Sequence, residues 1–137
     1  MRVTRPLSIA QHEASHVVVG VRLGLRLKRA TAAPSGGLLG YAWFPRGHAH
    51  ALALMYAAGV AWERECGTAT WLAEGDVKLV RQYAPGRGGL ATCVRAAGAM
   101  LAALGGPHAR VTRALLERDL TGADLEALAR GERLPEE

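Results

Sequence analysis

From residue 9 to residue 23 the chain repeats with a helical period. Ile9, His12, His16, Val19 or Gly20, and Leu23 fall on one face, and Val17, Val18 and Val19 thicken its apolar side. Pro6 suits the entrance of such a helix, Ser8 with Gln11 has the form of a capping box, and Gly24 is placed to end it in the left-handed conformation. Residues 25–33 and 38–44 read instead as short strands, joined by the turn chemistry of Pro34-Ser-Gly-Gly37 into a hairpin that Pro45-Arg-Gly47 closes. A longer helix is predicted from residue 49 to about residue 66, with Leu52, Met55, Tyr56, Gly59, Val60 and Glu63 in one stripe. Its small residues, Ala57, Ala58, Gly59 and Ala61, allow a neighbouring helix to come close. Gly67-Thr68 interrupts the chain, and residues 76–83 form a short amphipathic helix with Val77, Val80 and Tyr83 inward. Asp76, at its start, reads on local grounds as an acid favoured by the helix dipole. Residues 90–104 are helical, Gly105-Gly-Pro107 breaks them, and residues 109–118 continue in a new direction with His108 at the surface. Thr121 with Asp124 caps a last helix that Gly131 stops, and residues 134–137 fray.

Composition narrows this pattern to one α+β domain dominated by helices. The 137 residues are 50% apolar but only 5% aromatic, so the core is built of Ala, Val and Leu. No apolar run reaches the 18 or so residues of a membrane span, and the N-terminus lacks the charged-then-apolar design of a signal peptide. The expectation is a cytoplasmic protein with no membrane partner. Cys66 and Cys93 then read as reduced, buried thiols without ligand spacing. The net charge of +5 permits an acidic partner, yet the basic residues are scattered. Only Arg22, Arg26, Lys28 and Arg29 cluster, with no aromatics interleaved for base stacking, which argues against nucleic acid.

The chemistry concentrates in His12-Glu-Ala-Ser-His16. Four residues at about 100° each place both imidazoles on one face of a helix, one turn apart, where they fill two corners of a Zn²⁺ tetrahedron. Glu13 stands beside the first ligand, where a general base for an activated water belongs. The spacing alone leaves a packed core pair equally open. His48 and His50 cannot share a helical face and read as polar loop residues, and an exposed helical face accounts for Glu63 as well as a functional role does.

More than this motif is familiar. His12-Glu-Ala-Ser-His16, Leu38-Leu-Gly-Tyr-Ala-Trp-Phe-Pro45, Ala57-Ala-Gly-Val-Ala-Trp-Glu-Arg-Glu-Cys-Gly67 and Glu74-Gly-Asp-Val-Lys-Leu-Val80 follow in the order of the peptidase domain of FtsH-type ATP-dependent zinc metalloproteases, which the chain resembles. The stretch from Ala114 to Leu128 is similar to that family's closing helix, loop and helix. The resemblance implies His12, His16 and Asp76 as zinc ligands and Glu13 as the base. It also implies a zincin-like fold over residues 1–137, with the metal-site half at 1–84 and C-terminal helices at 85–137. Three departures stand out: Ser15 replaces a family glycine, residues 85–89 are shorter than the family's excursion, and the expectation is a domain without the ATPase module or membrane anchor. The expected function is therefore a Zn²⁺-dependent endopeptidase acting, ATP-independently by itself, on unfolded or flexible protein or peptide substrates. A separate unfoldase or adaptor and a homo-oligomer are both compatible with it. The rival reading is a catalytically silent zincin-fold binding or regulatory module, against which the intact Glu13 argues.

Overall fold

Helix α1 (Leu7–Arg22) is buried on almost every side from Ile9 to Gly20, as the apolar residues flanking its histidines require. In the computed structural model, which describes residues 5–33, 40–66 and 72–132, the remaining elements assemble around it. They are β1 (Arg29–Thr31), β2 (Tyr41–Trp43), α2 (Ala49–Cys66), α3 (Leu72–Tyr83), α4 (Gly89–Ala103), α5 (Gly105–Glu117) and α6 (Gly122–Ala129). The fold is α+β and mostly helical, with one two-stranded antiparallel sheet among the described residues. Helix α1 packs against α2 on one side and α5 on another, while α2 also carries α3 and α4. Val17, Val18, Val19, Met55, Val80, Val111, Leu115 and Leu125 are among the largest side chains of the interior, and Ala10, Ala14, Ala53, Ala57, Ala58 and Ala97 fill in between them, so Ala, Val and Leu build the core as expected. Each such side chain contributes about 1.5–3 kcal/mol by leaving water.

The ends of α1 divide the expectations. Its C-terminus is closed as predicted: Gly24 has φ 81°, Gly24 N–H donates to Val21 O at 3.0 Å, and Leu25 N–H donates to Gly20 O at 2.9 Å. Its N-terminus is not. The helix starts immediately after Pro6, an extended N-cap with no side-chain hydrogen bond, so Ser8 lies inside the first turn and the capping box does not form.

Each strand has only three residues, paired Arg29 with Trp43, Ala30 with Ala42 and Thr31 with Tyr41. The predicted strand from residue 25 is shortened: Lys28 N–H still donates to Trp43 O at 2.8 Å, but the carbonyls of Leu27 and Lys28 abut α6, where a Cβ on Gly122 would lie 2.2 Å from Leu27 O and 2.8 Å from Lys28 O. Leu25 and Leu27 still bury their side chains. The predicted turn at 34–37, the break at 67–68 and the tail at 134–137 fall outside the described residues.

Helix α2 has the predicted extent. Helix α3 begins earlier than predicted, at Leu72, which moves Asp76 from the helix start into its second turn. Gly105-Gly-Pro107 is not a break but the first turn of α5, where proline's missing N–H removes a donor that would have no partner anyway. The change of direction comes just before it, since α4 and α5 meet at 88°. Thr121 caps α6, its hydroxyl accepting from Asp124 N–H at 3.1 Å. Cys93 is buried, but Cys66 is exposed at the end of α2, contrary to expectation. No single described helix is long and apolar enough to cross a membrane; α4 and α5 pass that test only as a bent pair.

Candidate metal centre

His12 and His16 project from α1 towards α2 and α3, and Asp76 reaches them from α3. Asp76 Oδ2 lies 2.8 Å from His12 Nε2 and 3.1 Å from His16 Nε2, and the two Nε2 atoms are 3.1 Å apart. In a tetrahedral zinc site with bonds of about 2.0–2.1 Å the donor atoms stand about 3.3 Å from one another, so this triangle fits such an ion after a slight expansion.

The outer contacts of the two rings aim these atoms at each other. His16 Nδ1 is 2.8 Å from Met55 O, and because a carbonyl only accepts, Nδ1 carries the hydrogen and Nε2 of the neutral ring presents a lone pair inward. Glu63 Oε2 stands 2.6 Å from His12 Nδ1, angled away from the line of the ring N–H, and favours the same tautomer there. Two lone pairs and a carboxylate oxygen at these separations repel unless positive charge, a proton on an imidazole or a cation, sits among them. The surrounding field has that character. Burial opposes charge on His16, but the Asp76 carboxylate, helped by Glu13 and Met55 O, raises its pKa to about 9. Burial likewise pushes Asp76 up, yet His16 and His12 hold it well below the ordinary carboxylate range.

Gly59 on α2 makes room for the cluster. A Cβ there would lie 2.6 Å from His12 Cε1 and 2.7 Å from Asp76 Oδ2, so only a bare backbone permits this approach. Glu13 is buried, with Oε1 3.9 Å from His16 Nε2. Desolvation pushes its pKa from 4.5 up to about 7, with His16 and His12 opposing and Asp76 and Glu63 assisting. These groups line a cleft of about 300 Å³ whose walls include Tyr41, Trp43, Tyr56, Leu72 and Leu79. The Tyr56 ring stands edge-on to His16 at 6.1 Å and stacks on Tyr83 at 6.0 Å. Burial, then Tyr83 and Asp76, hold the Tyr56 phenol above its ordinary range, so it keeps its proton.

All four residues singled out in the sequence, His12, Glu13, His16 and Asp76, therefore meet in one place. Ser15 is buried and its hydroxyl donates to Gln11 O at 2.8 Å. Glu63 and Gly59 are the contributors that sequence reasoning left open or assigned to helix packing. Their signal was a carboxylate four residues after a glycine in an otherwise apolar stripe. His108 is not at the surface but buried, stacked on Trp62 at 4.0 Å, with Nε2–H donating to Gln11 O at 2.9 Å. His48 and His50 are exposed, but only His48 lies in a loop, His50 being in the first turn of α2. No family model and no curated protein matches the chain.

Proposed function

We propose that this domain is a zinc-dependent metalloendopeptidase with a zincin-like fold of the FtsH-type peptidase kind. It hydrolyses peptide bonds in unfolded or flexible protein segments, ATP-independently by itself. The observation that supports this reading is the convergence of His12 Nε2, His16 Nε2 and Asp76 Oδ2 within 3.1 Å, with the Glu13 carboxylate held just outside it. His12, His16 and Asp76 would hold the ion. When bound, Zn²⁺ supplies a Lewis acid that polarises the scissile carbonyl and makes a nucleophile available at neutral pH.

The chain's own residues supply the remainder of the chemistry. Glu13, buried beside the two imidazoles, takes the proton of the attacking water and passes it to the departing amine nitrogen. Met55 O and Glu63 fix the orientation of the two imidazoles. Strand β2 pairs with β1 on one edge, where Trp43 O also accepts from Lys28 N–H, and contributes Tyr41, Ala42 and Trp43 to the cleft, so an extended substrate can add to its other edge. Folded segments offer no such strand, which limits the substrates to unfolded or flexible ones.

Elemental analysis and a casein digest test the proposal together. The expected result is one zinc per chain and casein cleavage that a chelator stops. Glu13→Gln should keep the zinc and lose the cleavage. Zinc-loaded wild type that leaves casein intact would refute the peptidase and leave the silent module standing.

A further inference from the structure

The outer face of the hairpin beside the cleft combines features that lie apart in sequence. Arg29 pairs with Trp43 in the ladder, so their side chains share a face, and Tyr41, two residues before Trp43, shares it as well. The Arg29 guanidinium carbon lies 6.0 Å from the centre of the Tyr41 ring. Trp43 is 50% exposed, which makes it one of two large apolar residues so exposed among the described ones. Lys28, exposed just before β1, and Arg46, exposed just after β2, flank the hairpin with positive charge, whereas Arg26 lines a separate pocket with Ala123, Glu126 and Arg130. The sequence suggested that no aromatics accompany this basic cluster; folding brings two to it from the other strand. Asp119 senses Arg29, but its Oδ1 is already held by Arg5 at 2.9 Å and by the Thr31 hydroxyl at 2.7 Å.

We propose that this face is a substrate-docking surface that selects extended peptide segments in which acidic residues neighbour an apolar or aromatic one. Tyr41 and Trp43 line both this face and the cleft, so a chain lying along β2 meets the exposed indole and then Arg29. A carboxylate on the peptide makes a charge-assisted contact with the guanidinium, and an apolar side chain covers Trp43. A single nucleic-acid strand is the poorer match. It wants successive stacking platforms along a cationic track, whereas the free edge of β2 offers the backbone donors and acceptors of a peptide. The inference takes the cleft's role from the peptidase reading, but docking itself needs no hydrolysis.

Binding is therefore measured on the full chain carrying Glu13→Gln, by fluorescence anisotropy of two labelled peptides that share an apolar core and differ in Glu or Lys flanks. The Glu-flanked peptide should bind more tightly. Arg29→Glu should weaken that peptide about fivefold and improve the Lys-flanked one, with Arg29→Gln between, and high salt should erase the difference. In cleaving wild type the same Arg29 substitutions should raise KM and leave kcat unchanged. Equal affinities for the two peptides, or indifference to Arg29→Glu, would overturn the proposal, as would displacement of the acidic peptide by a stoichiometric oligothymidylate. Charge-selective binding without any chelator-sensitive cleavage would support the docking face and refute the peptidase.

Discussion

Glu63 and Gly59 touch the same imidazole from opposite requirements, one by presence and one by absence. Glu63 Oε2 at 2.6 Å from His12 Nδ1 biases the ring towards the tautomer whose Nε2 faces Asp76. Glu63→Gln keeps the volume and removes the charge, so zinc affinity should fall about 10- to 100-fold with the fold intact, as read by competition with a fluorescent chelator. Unchanged affinity would make Glu63 a bystander. For Gly59→Ala two effects compete. Alanine favours a helix by about 1 kcal/mol, whereas the new methyl, 2.6 Å from His12 Cε1, imposes overpacking of about 1–3 kcal/mol. Overpacking wins, and because His12 and Asp76 are what must move, the variant should keep its circular dichroism and lose its zinc. Retention of one zinc per chain would show that α2 shifts instead.

The elements show which parts of the fold were legible in sequence. The extent of α2 was readable because its apolar stripe is continuous and glycine follows it, and the end of α1 because Gly24 adopts the left-handed conformation that ends helices. The strands were over-read because Leu25 and Leu27 look like strand residues, while the carbonyls of residues 27 and 28 abut Gly122, a partner no local pattern reveals. The start of α3 was placed too late since Asp76 resembles an N-terminal acid. The site itself was half legible: helical spacing joined His12 to His16, but only the family resemblance brought in Asp76, sixty residues away in sequence. Helix α5 was misjudged where glycine and proline suggested a break, and with it His108. Burial lowers the His108 pKa from 6.5, against the pull of Gln11 O, so the unfolded chain binds the proton more readily than the folded one. Stability therefore rises with pH through this group: its contribution is whole above 6.5 and is lost as pH falls from there through the lower folded value. His108→Gln keeps a donor for Gln11 O and cannot titrate. Wild type should exceed it in Tm at pH 7.5, with the gap closing by pH 5; a gap independent of pH would mean that folding does not lower the His108 pKa.

For the molecule as a whole, the metal centre would also act as a clamp. Only Asp76 and Val80 of α3 are fully buried, and Asp76 is the residue that ties α3 to α1. An ion shared by Asp76, His12 and His16 adds its binding free energy to the folded state, since in the unfolded chain Asp76 is sixty positions from His16 and not held near it. At a free zinc concentration about 100 times Kd, the gain is about 2.7 kcal/mol. For a domain of this size each kcal/mol moves Tm by about 3 °C, so zinc should raise Tm by about 8 °C and a chelator should reverse it. Asp76→Ala changes basal stability too, so the discriminating quantity is the zinc-dependent increment, which should vanish in that variant. Hydrogen exchange locates the effect. Zinc should slow the amides of α3, which carries Asp76, more than those of α5 and α6, which pack on α1 through Val111, Leu115 and Leu125 without the site. A zinc-induced Tm rise that survives Asp76→Ala would place the ion elsewhere, and the proposed active site would lose its third ligand.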